Sequence, residues 1–167
     1  MTDNYKRTKE WLKLAFPNIE RTIKNVIEKD YPISVYFIQL SIEQLLKGLI
    51  FFSGLQFKKT HEPSKILEKI KSDKNYEISE DFLNKIKTIA LLAKDIEAEG
   101  TLTRYGDIIE GKLIYPEERY GEKECKKYLN DLYEILRNIY EIFKNFKDFE
   151  SECKIMINFL ERIEKLI

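Results

Sequence analysis

The sequence predicts an all-α protein, an antiparallel helical bundle of about five helices with an additional helix at the C-terminus. Apolar residues recur at intervals of three and four along most of the chain, which is the period of an amphipathic helix. Glycine and proline separate these segments, and no segment alternates apolar and polar residues as a half-buried strand does. With 167 residues, of which 43% are hydrophobic, the chain is long enough for one sizeable core.

Two long helices are predicted in the first third of the chain. The first runs from about Tyr5 to Glu28 and is expected to be interrupted and kinked near Pro17, because proline cannot complete the helical hydrogen-bond pattern. The second runs from about Pro32 to Ser53, with Gly54 as its C-cap. This second helix is apolar and nearly long enough to span a membrane. Gln39, Glu43, Gln44 and Lys47 lie in its middle, however, so we predict a buried central helix and no membrane partner.

The remaining segments predict shorter elements and two further long helices. A short helix is expected from Pro63 to Lys71, and a longer one from Ser79, a good N-cap residue, to Gly100. The segment from Thr101 to Gly121 contains three glycines, Gly106, Gly111 and Gly121, and one proline, Pro116, and it predicts an ordered surface loop. A further helix is expected from Glu122 to Phe146.

The apolar residues of the last helix form a narrow stripe on its surface, as in a helix that packs along a single seam. Its apolar residues are Phe149, Cys153, Met156, Leu160, Ile163 and Ile167. Alternating spacings of four and three allow this helix either to close the bundle or to contact a second subunit. We therefore divide the chain into a bundle, residues 1–147, and a C-terminal helix, residues 148–167.

Charge and cysteine content exclude several classes of protein. The 29 Lys and Arg residues balance 29 Asp and Glu residues, so the molecule lacks the overall positive field typical of nucleic-acid-binding proteins. Two cysteines and one histidine are too few for a disulfide framework or a Cys/His zinc site, and we predict neither metal nor cofactor. The N-terminus becomes charged at once, which predicts a cytoplasmic protein. Abundant Lys, Glu and Ile with only three Gln is a thermophile-like composition.

The strongest candidate for a functional site is a polar stripe on the second helix. Gln39, Glu43 and Lys47 are spaced by four and therefore share one face of an otherwise apolar helix. One interpretation is structural: Glu43 and Lys47 form an ion pair at the edge of the bundle, and Gln39 bonds to a neighbouring backbone group. The other is a polar cleft in which Lys47 and an arginine bind phosphate, while Glu43 and Gln39 orient a base or a ribose.

Five short motifs, one of which is this stripe, follow one another along the chain in a recognisable order. They are WLKLA from Trp11 to Ala15, Asp30-Tyr31-Pro32, Gln39-x-x-x-Glu43-x-x-x-Lys47, Thr60-His61 and Arg104-Tyr105. With this order, the chain from about Tyr5 to Phe146 resembles a prokaryotic HEPN domain. The resemblance implies a helical bundle that binds a nucleotide or RNA, forms a homodimer, and works with a minimal nucleotidyltransferase in a toxin–antitoxin pair. It makes Gln39, Glu43, Lys47, His61, Arg104 and Tyr105 the candidate binding residues.

Three departures from the family pattern bear on activity. Gln44 stands where the family often has Lys, and Gly106 stands where it often has Pro. The Arg-x(4–6)-His motif of the ribonuclease members is absent, because positions 54–56 ahead of His61 read Gly-Leu-Gln. A standard HEPN ribonuclease is therefore not predicted, and the catalytic residues stay unknown.

Individual loop residues have competing interpretations. His61 either contacts phosphate as an acid or base, or it stabilises the start of the third helix, with Thr60 or His61 supplying a local hydrogen bond. Arg104 either grips phosphate or pairs with Asp107 or Glu110 to hold its loop. Three tyrosines of the same segment are expected in the core or at its rim, with base stacking as the alternative: Tyr105, Tyr115 and Tyr120.

Three functions follow from these interpretations. The first is the phosphate-binding HEPN homodimer described above. The second is a non-catalytic interaction module, in which the C-terminal seam binds a partner helix. The third is an atypical ribonuclease that uses His61 and Arg104 from separated positions, since catalysis depends on geometry and not on adjacency in sequence.

Overall fold

A computed structural model describes residues 3–70 and 79–167 of the chain, and it confirms the all-α prediction. The helices are α1 Asp3–Ile27, α2 Tyr31–Phe52, α3 Ser64–Leu67, α4 Glu80–Glu99, α5 Leu102–Tyr105, α6 Pro116–Arg119, α7 Glu122–Phe143 and α8 Glu150–Glu164. A 3-10 turn, Lys147–Phe149, precedes α8. Two short strands, β1 Asp107–Ile109 and β2 Lys112–Ile114, form an antiparallel hairpin between α5 and α6.

The second helix, α2, is the centre of the bundle, as the sequence predicts. It packs against α1, α4 and α7, and most of its aliphatic side chains from Val35 to Ile50 are buried. By length and composition α2 would be able to cross a membrane, with a mean hydropathy of 1.4 in its most apolar window. Because 67% of that window is buried against other parts of the chain, its apolar character is explained by its place in the core.

Local signals at both ends of α2 set its limits. At the start, the side chain of Asp30 accepts a hydrogen bond from the backbone N–H of Ile33, with Pro32 in the first turn. At the end, Gly54 adopts a φ of 67°. The backbone N–H groups of Gly54 and Leu55 donate to the carbonyls of Phe51 and Ile50, at 3.0 and 3.1 Å, which is a Schellman motif.

The helix α1 is continuous through Pro17, whereas the sequence predicts an interruption there. It forms a helical hairpin with α2, and the two helices approach closely at Gly48, where the Thr8 hydroxyl donates to the Gly48 carbonyl at 3.2 Å. A Cβ atom at position 48 would lie 3.5 Å from the Cβ atom of Trp11. Packing against α2 therefore stabilises α1 on both sides of the proline.

The later helices follow the predicted order with adjusted limits. The Ser79 hydroxyl accepts from the backbone of Phe82 and caps α4, and Gly100 ends this helix with a φ of 25°. The third helix is one turn long, and the predicted end at Lys71 lies outside the described residues. α7 ends at Phe143, one turn before the predicted Phe146.

The C-terminal helix α8 packs against α7 and α1 of its own chain. The buried residues of its seam are Cys153, Met156 and Ile163, with Phe149 in the preceding turn. The Arg162 guanidinium makes a two-pronged ion pair with Glu20 of α1, with both N–O distances at 2.6 Å. The seam that would be available to a partner helix is thus used within this chain.

The segment from 101 to 121 is not a plain loop, and the prediction that the chain has no strand is wrong. It contains α5, the hairpin and α6. Glu110 and Gly111 form the turn of the hairpin with φ values of 50° and 77°, which are the positive angles that a two-residue hairpin turn requires. The strands are only three residues long, so they show too little alternation to be recognised in the sequence.

The carboxylate of Glu99, at the end of α4, fastens this segment to the bundle. It accepts hydrogen bonds from Arg119 at 3.0 Å, from the Tyr120 hydroxyl at 2.7 Å and from the Tyr128 hydroxyl at 3.1 Å. Burial together with this carboxylate raises the pKa of both tyrosines. Arg119 also reaches Asp107 of β1 at 3.4 Å, so the hairpin and α6 are tied to α4 and α7.

Gly106, which precedes the hairpin, offers a test of this arrangement. Its φ is 73°, and an added Cβ atom would overlap the carbonyl oxygen of Ile114. Gly111 has a similar φ of 77° but no atom within 4 Å of an added Cβ. Because the left-handed conformation alone costs roughly 1–2 kcal/mol, Gly111→Ala should lose about 1 kcal/mol of unfolding free energy and Gly106→Ala about 3 kcal/mol. Urea denaturation measures both, and equal losses would contradict the close contact at Gly106.

Candidate functional site

The predicted polar stripe forms a connected chain of side chains on one face of α2. The Lys47 ammonium donates to Glu43 Oε1 at 2.6 Å, and the Gln39 amide donates to Glu43 Oε2 at 3.2 Å. The side chains of Lys47 and Glu43 are only 11% and 7% exposed. The predicted ion pair therefore exists, but it is buried instead of lying at the edge of the bundle. Gln39 bonds to Glu43 and not to a backbone group.

Gln39 has one polar atom that its surroundings do not satisfy. Its Oε1 is buried and accepts no hydrogen bond from any of the described residues. A buried amide oxygen without a donor costs free energy, since it has lost its contact with water. Gln39 is only 3% exposed, so a bound molecule would reach this acceptor only after the side chains that cover it move.

Two residues from outside α2 contact the polar stripe: Trp11 and His61. The Lys47 Nζ lies 5.1 Å from the centre of the Trp11 ring, in the geometry of a cation–π contact. His61 Nδ1 lies 3.5 Å from Glu43 Oε1, although the His61 side chain is 82% exposed. The sequence prediction that His61 and the stripe belong together is consistent with this contact. Thr60, and not His61, supplies the local hydrogen bond of the loop, because its hydroxyl accepts from the backbone of Glu62 at 2.9 Å.

A second buried carboxylate, Glu97 of α4, holds the loop that carries His61. It accepts hydrogen bonds from the backbone N–H of Ser64, at 3.0 Å, and from the Ser64 hydroxyl. Burial raises the pKa of Glu97, and the negative charges of Glu62 and Glu43 act in the same direction. Glu97 therefore fixes the start of α3, two residues after the Thr60-His61-Glu62 turn.

Arg104 lies beside the other end of the stripe. Its guanidinium carbon is 5.2 Å from the centre of the Tyr36 ring. Tyr36 precedes Gln39 by three residues and so lies on the same face of α2. The interpretation in which Arg104 pairs with Asp107 or Glu110 is wrong: Asp107 contacts Arg119, and Arg104 makes no ion pair with any of residues 3–70 or 79–167.

The three tyrosines of the 101–121 segment have different environments. Tyr120 is buried, with 2% exposure, and matches the predicted core role. Tyr105 and Tyr115 are 72% and 57% exposed, so the prediction that they pack in the core or at its rim is wrong for both. Tyr105 follows Arg104 directly, but no described contact links its ring to the stripe.

The candidate binding residues predicted from the sequence did not include Tyr36, Trp11 or Glu97, although Trp11 begins the first of the five motifs. Tyr36 was detectable, because it continues the stripe by one helical turn. Trp11 and Glu97 come from α1 and α4, and nothing in their spacing along the chain indicates that they approach α2. In the part of the chain that the structure describes, no three His, Cys, Asp or Glu side chains are arranged to bind a metal ion.

The buried Glu43–Lys47 pair can be tested against an exposed pair of the same spacing. Glu43→Gln leaves the Lys47 ammonium in the interior without a counter-charge, which should lower the unfolding free energy by about 3 kcal/mol. Glu150→Gln removes the partner of Lys154 in a pair whose side chains are 72% and 73% exposed, and no measurable change is expected. Urea denaturation of both variants makes the comparison. A loss for Glu43→Gln no larger than that for Glu150→Gln would contradict the buried pair.

Comparison with known proteins identifies the family. The chain is 27% identical over 145 residues to a Methanocaldococcus jannaschii protein named "Putative toxin MJ1304", and the aligned part covers 86% of this chain and 90% of that protein. No solved structure matches the chain significantly. The family model for the HEPN domain matches residues 8–146, which run from the second turn of α1 to three residues beyond the end of α7. This chain belongs to the HEPN domain family.

Proposed function

We propose that this protein is the HEPN component of a toxin–antitoxin-like system, and that Arg104 and the polar stripe of α2 bind a nucleotide or RNA, with Arg104 on a phosphate group. The proposal extends to a homodimer and to a minimal nucleotidyltransferase as the partner protein. Family membership and the name of the archaeal relative support the toxin–antitoxin setting. The contacts around Arg104 support the phosphate ligand.

The observation that favours phosphate binding is the state of Arg104. Within the described residues its guanidinium has no carboxylate partner, and it lies on the Tyr36 ring beside the stripe. Since Glu43 and Lys47 neutralise each other, Arg104 adds a positive charge beside the stripe that no carboxylate of the described residues neutralises. Guanidinium groups bind phosphate through paired N–H donors, and a Tyr ring beneath them restricts their orientation.

The neighbouring Gln39 supports a nucleotide over a simple anion. Its unsatisfied Oε1 accepts hydrogen bonds only, so it would repel a phosphate oxygen and favour an N–H or O–H donor. A base amino group or a ribose hydroxyl supplies such a donor. One ligand with phosphate at Arg104 and a donor group at Gln39 would satisfy both residues, once the side chains that cover Gln39 move aside.

Nucleotide binding is tested by removing the charge of Arg104. Arg104→Ala should weaken binding of ATP or of a short RNA by about 10- to 100-fold, because a hydrogen bond to a charged group contributes roughly 1.5–3 kcal/mol. Isothermal titration calorimetry and ligand-induced thermal shifts measure this effect. Arg137→Ala is the matched control, since Arg137 is an exposed α7 residue paired with Glu134.

The outcomes of this experiment are distinct. Loss of binding in Arg104→Ala with normal binding in Arg137→Ala is the expected result. Wild-type protein that binds none of the nucleotides or RNAs, or equal binding by both variants, would contradict the phosphate site. Lys47→Ala is a poor substitute, because it leaves the buried Glu43 carboxylate without the ammonium group that pairs with it.

A second function, the atypical ribonuclease, is favoured by the contact between His61 and Glu43. A buried carboxylate that faces one ring nitrogen of an exposed histidine orients the ring and leaves the other nitrogen open for proton transfer. Glu43 and Tyr36 are seven residues apart on α2, so His61 and Arg104 are separated by roughly 10 Å along the helix axis. A ligand of at least nucleotide size is needed to contact both.

Ribonuclease activity predicts a specific sensitivity to His61. If the purified protein cleaves a fluorescent RNA, His61→Ala should reduce the rate by about 100-fold or more, since general acid–base catalysis contributes at least that much. Lys59→Ala, an exposed change in the same loop, should retain most of the activity. Absence of cleavage by wild-type protein, or full activity in His61→Ala, would eliminate this second function.

A further inference from the structure

Arg21 of α1 is an exposed arginine that is held in place without a carboxylate partner. Its Nη1 donates to the amide oxygen of Asn18 at 2.6 Å, and its guanidinium carbon lies 5.6 Å from the centre of the Phe37 ring on α2. No Asp or Glu of residues 3–70 or 79–167 forms an ion pair with it. A guanidinium group that is oriented by an amide and a ring, but not neutralised, is ready to bind an anion.

The support for Arg21 is a buried amide that links α1 to α2. Asn18 is only 5% exposed, and its Nδ2 donates to Gln44 Oε1 at 2.8 Å and to the carbonyl of Leu14 at 3.1 Å. Both N–H donors and the oxygen of Asn18 are therefore in use, which restricts the positions that the Arg21 guanidinium is able to take. Gln44, which stands where the family often has Lys, contributes here as the acceptor that orients Asn18.

The acidic residues nearest to Arg21 along α1 have other partners. Glu20 forms the two-pronged ion pair with Arg162, at 2.6 Å for both contacts. Glu28 lies 3.9 Å from the ammonium group of Lys24. A guanidinium has five N–H donors, and among the described residues only one donor of Arg21 is used, by the Asn18 amide. The remaining donors are left for a bound molecule or for water.

Arg21 and Arg104 lie on two adjacent aromatic rings of α2. The rings of Tyr36 and Phe37 have their centres 5.0 Å apart. Arg104 lies 5.2 Å from the Tyr36 ring, and Arg21 lies 5.6 Å from the Phe37 ring. Three short steps therefore lead from one guanidinium group to the other, although the two arginines belong to α5 and α1. The ring pair carries one arginine on each ring, and no described carboxylate neutralises either charge.

We infer that Arg21 is a second phosphate contact of the candidate site, and that the ligand of this site carries at least two phosphate groups. This inference rests on phosphate binding by Arg104 in the proposed function, to which it adds a residue and a class of ligand. Two positive charges on neighbouring rings repel each other, and a ligand with two anionic groups relieves that repulsion. Each guanidinium would bind one phosphate through paired N–H donors, while the ring beneath it restricts its orientation.

Two kinds of ligand supply a second phosphate group. A nucleoside triphosphate carries its phosphates in one chain, whereas an oligonucleotide carries them on successive sugars. A nucleoside monophosphate has a single phosphate group and cannot occupy both arginines. Titration with AMP, ATP and a short single-stranded RNA therefore tests for the second contact and identifies which kind of ligand uses it.

Isothermal titration calorimetry of the full chain and matched variants makes this comparison. Arg21→Ala should weaken binding of ATP, of the RNA or of both by about 10-fold or more, and should change AMP binding by less than about 2-fold. For the RNA, the dependence of log K on log salt concentration should become shallower by about 0.7. Arg7→Ala is the control, because Arg7 also lies on a ring, 5.5 Å from the centre of Phe51, but is paired with Asp3 at 3.0 Å. It should bind all three ligands as the wild type does.

The outcomes separate this inference from the proposed function. Equal binding of all three ligands by wild type and Arg21→Ala would overturn the inference, and so would an equal loss for AMP or in Arg7→Ala. Binding that needs Arg104 but is unchanged in Arg21→Ala supports the proposed function and removes the second contact. A wild-type protein that binds none of the three ligands contradicts both. Arg21→Lys keeps the charge without the paired donors and should lose less affinity than Arg21→Ala, and thermal melts establish that each variant is folded.

Discussion

The buried ion pair between Glu43 and Lys47 is the constraint on which the rest of the candidate site depends. Removing two charges from water is costly, and it is tolerated only when the charges are paired and their remaining hydrogen-bonding capacity is used. The surroundings of α2 meet these conditions: Gln39 donates to Glu43, and Trp11 lies against Lys47. The central helix thus carries a buried polar face in an otherwise apolar bundle, and its rotation about its own axis is set by the need to keep these polar groups next to one another and to Trp11.

Two further carboxylates position what surrounds this face. Glu97 holds the start of α3 and therefore the loop with His61. Glu99 binds Arg119, Tyr120 and Tyr128 and fastens the segment with α5 and the hairpin. They lie two residues apart near the end of α4, so one helix orders both loops that flank the stripe. The buried polar groups of this protein consequently do more to position candidate ligand-binding residues than to strengthen the core, whose stability comes from apolar packing.

Much of the fold was predictable because its signals are local. Asp30, Ser79 and Gly54 act within one turn of the helix ends that they mark, and the apolar period of α2 and α7 needs only the residues of each helix. The hairpin was missed because three-residue strands are too short for a periodic pattern, although Glu110-Gly111 is a turn signal. One of the two interpretations of Arg104, an ion pair with Asp107 or Glu110, is wrong for a different reason: Arg119, on the far side of the hairpin, is the residue that reaches Asp107.

The sequence by itself determined the helical class, the central position of α2 and the set Gln39, Glu43 and Lys47 on one of its faces, since helical geometry alone places residues four apart together. Family membership was also evident in the order of short motifs. Only the tertiary structure decided that the stripe is buried, that His61 approaches Glu43, that Arg104 lies on Tyr36 without a counter-charge, and that the hairpin exposes its apolar side chains. These features join residues far apart in the chain, and their distances depend on how separate helices pack, which no local pattern encodes.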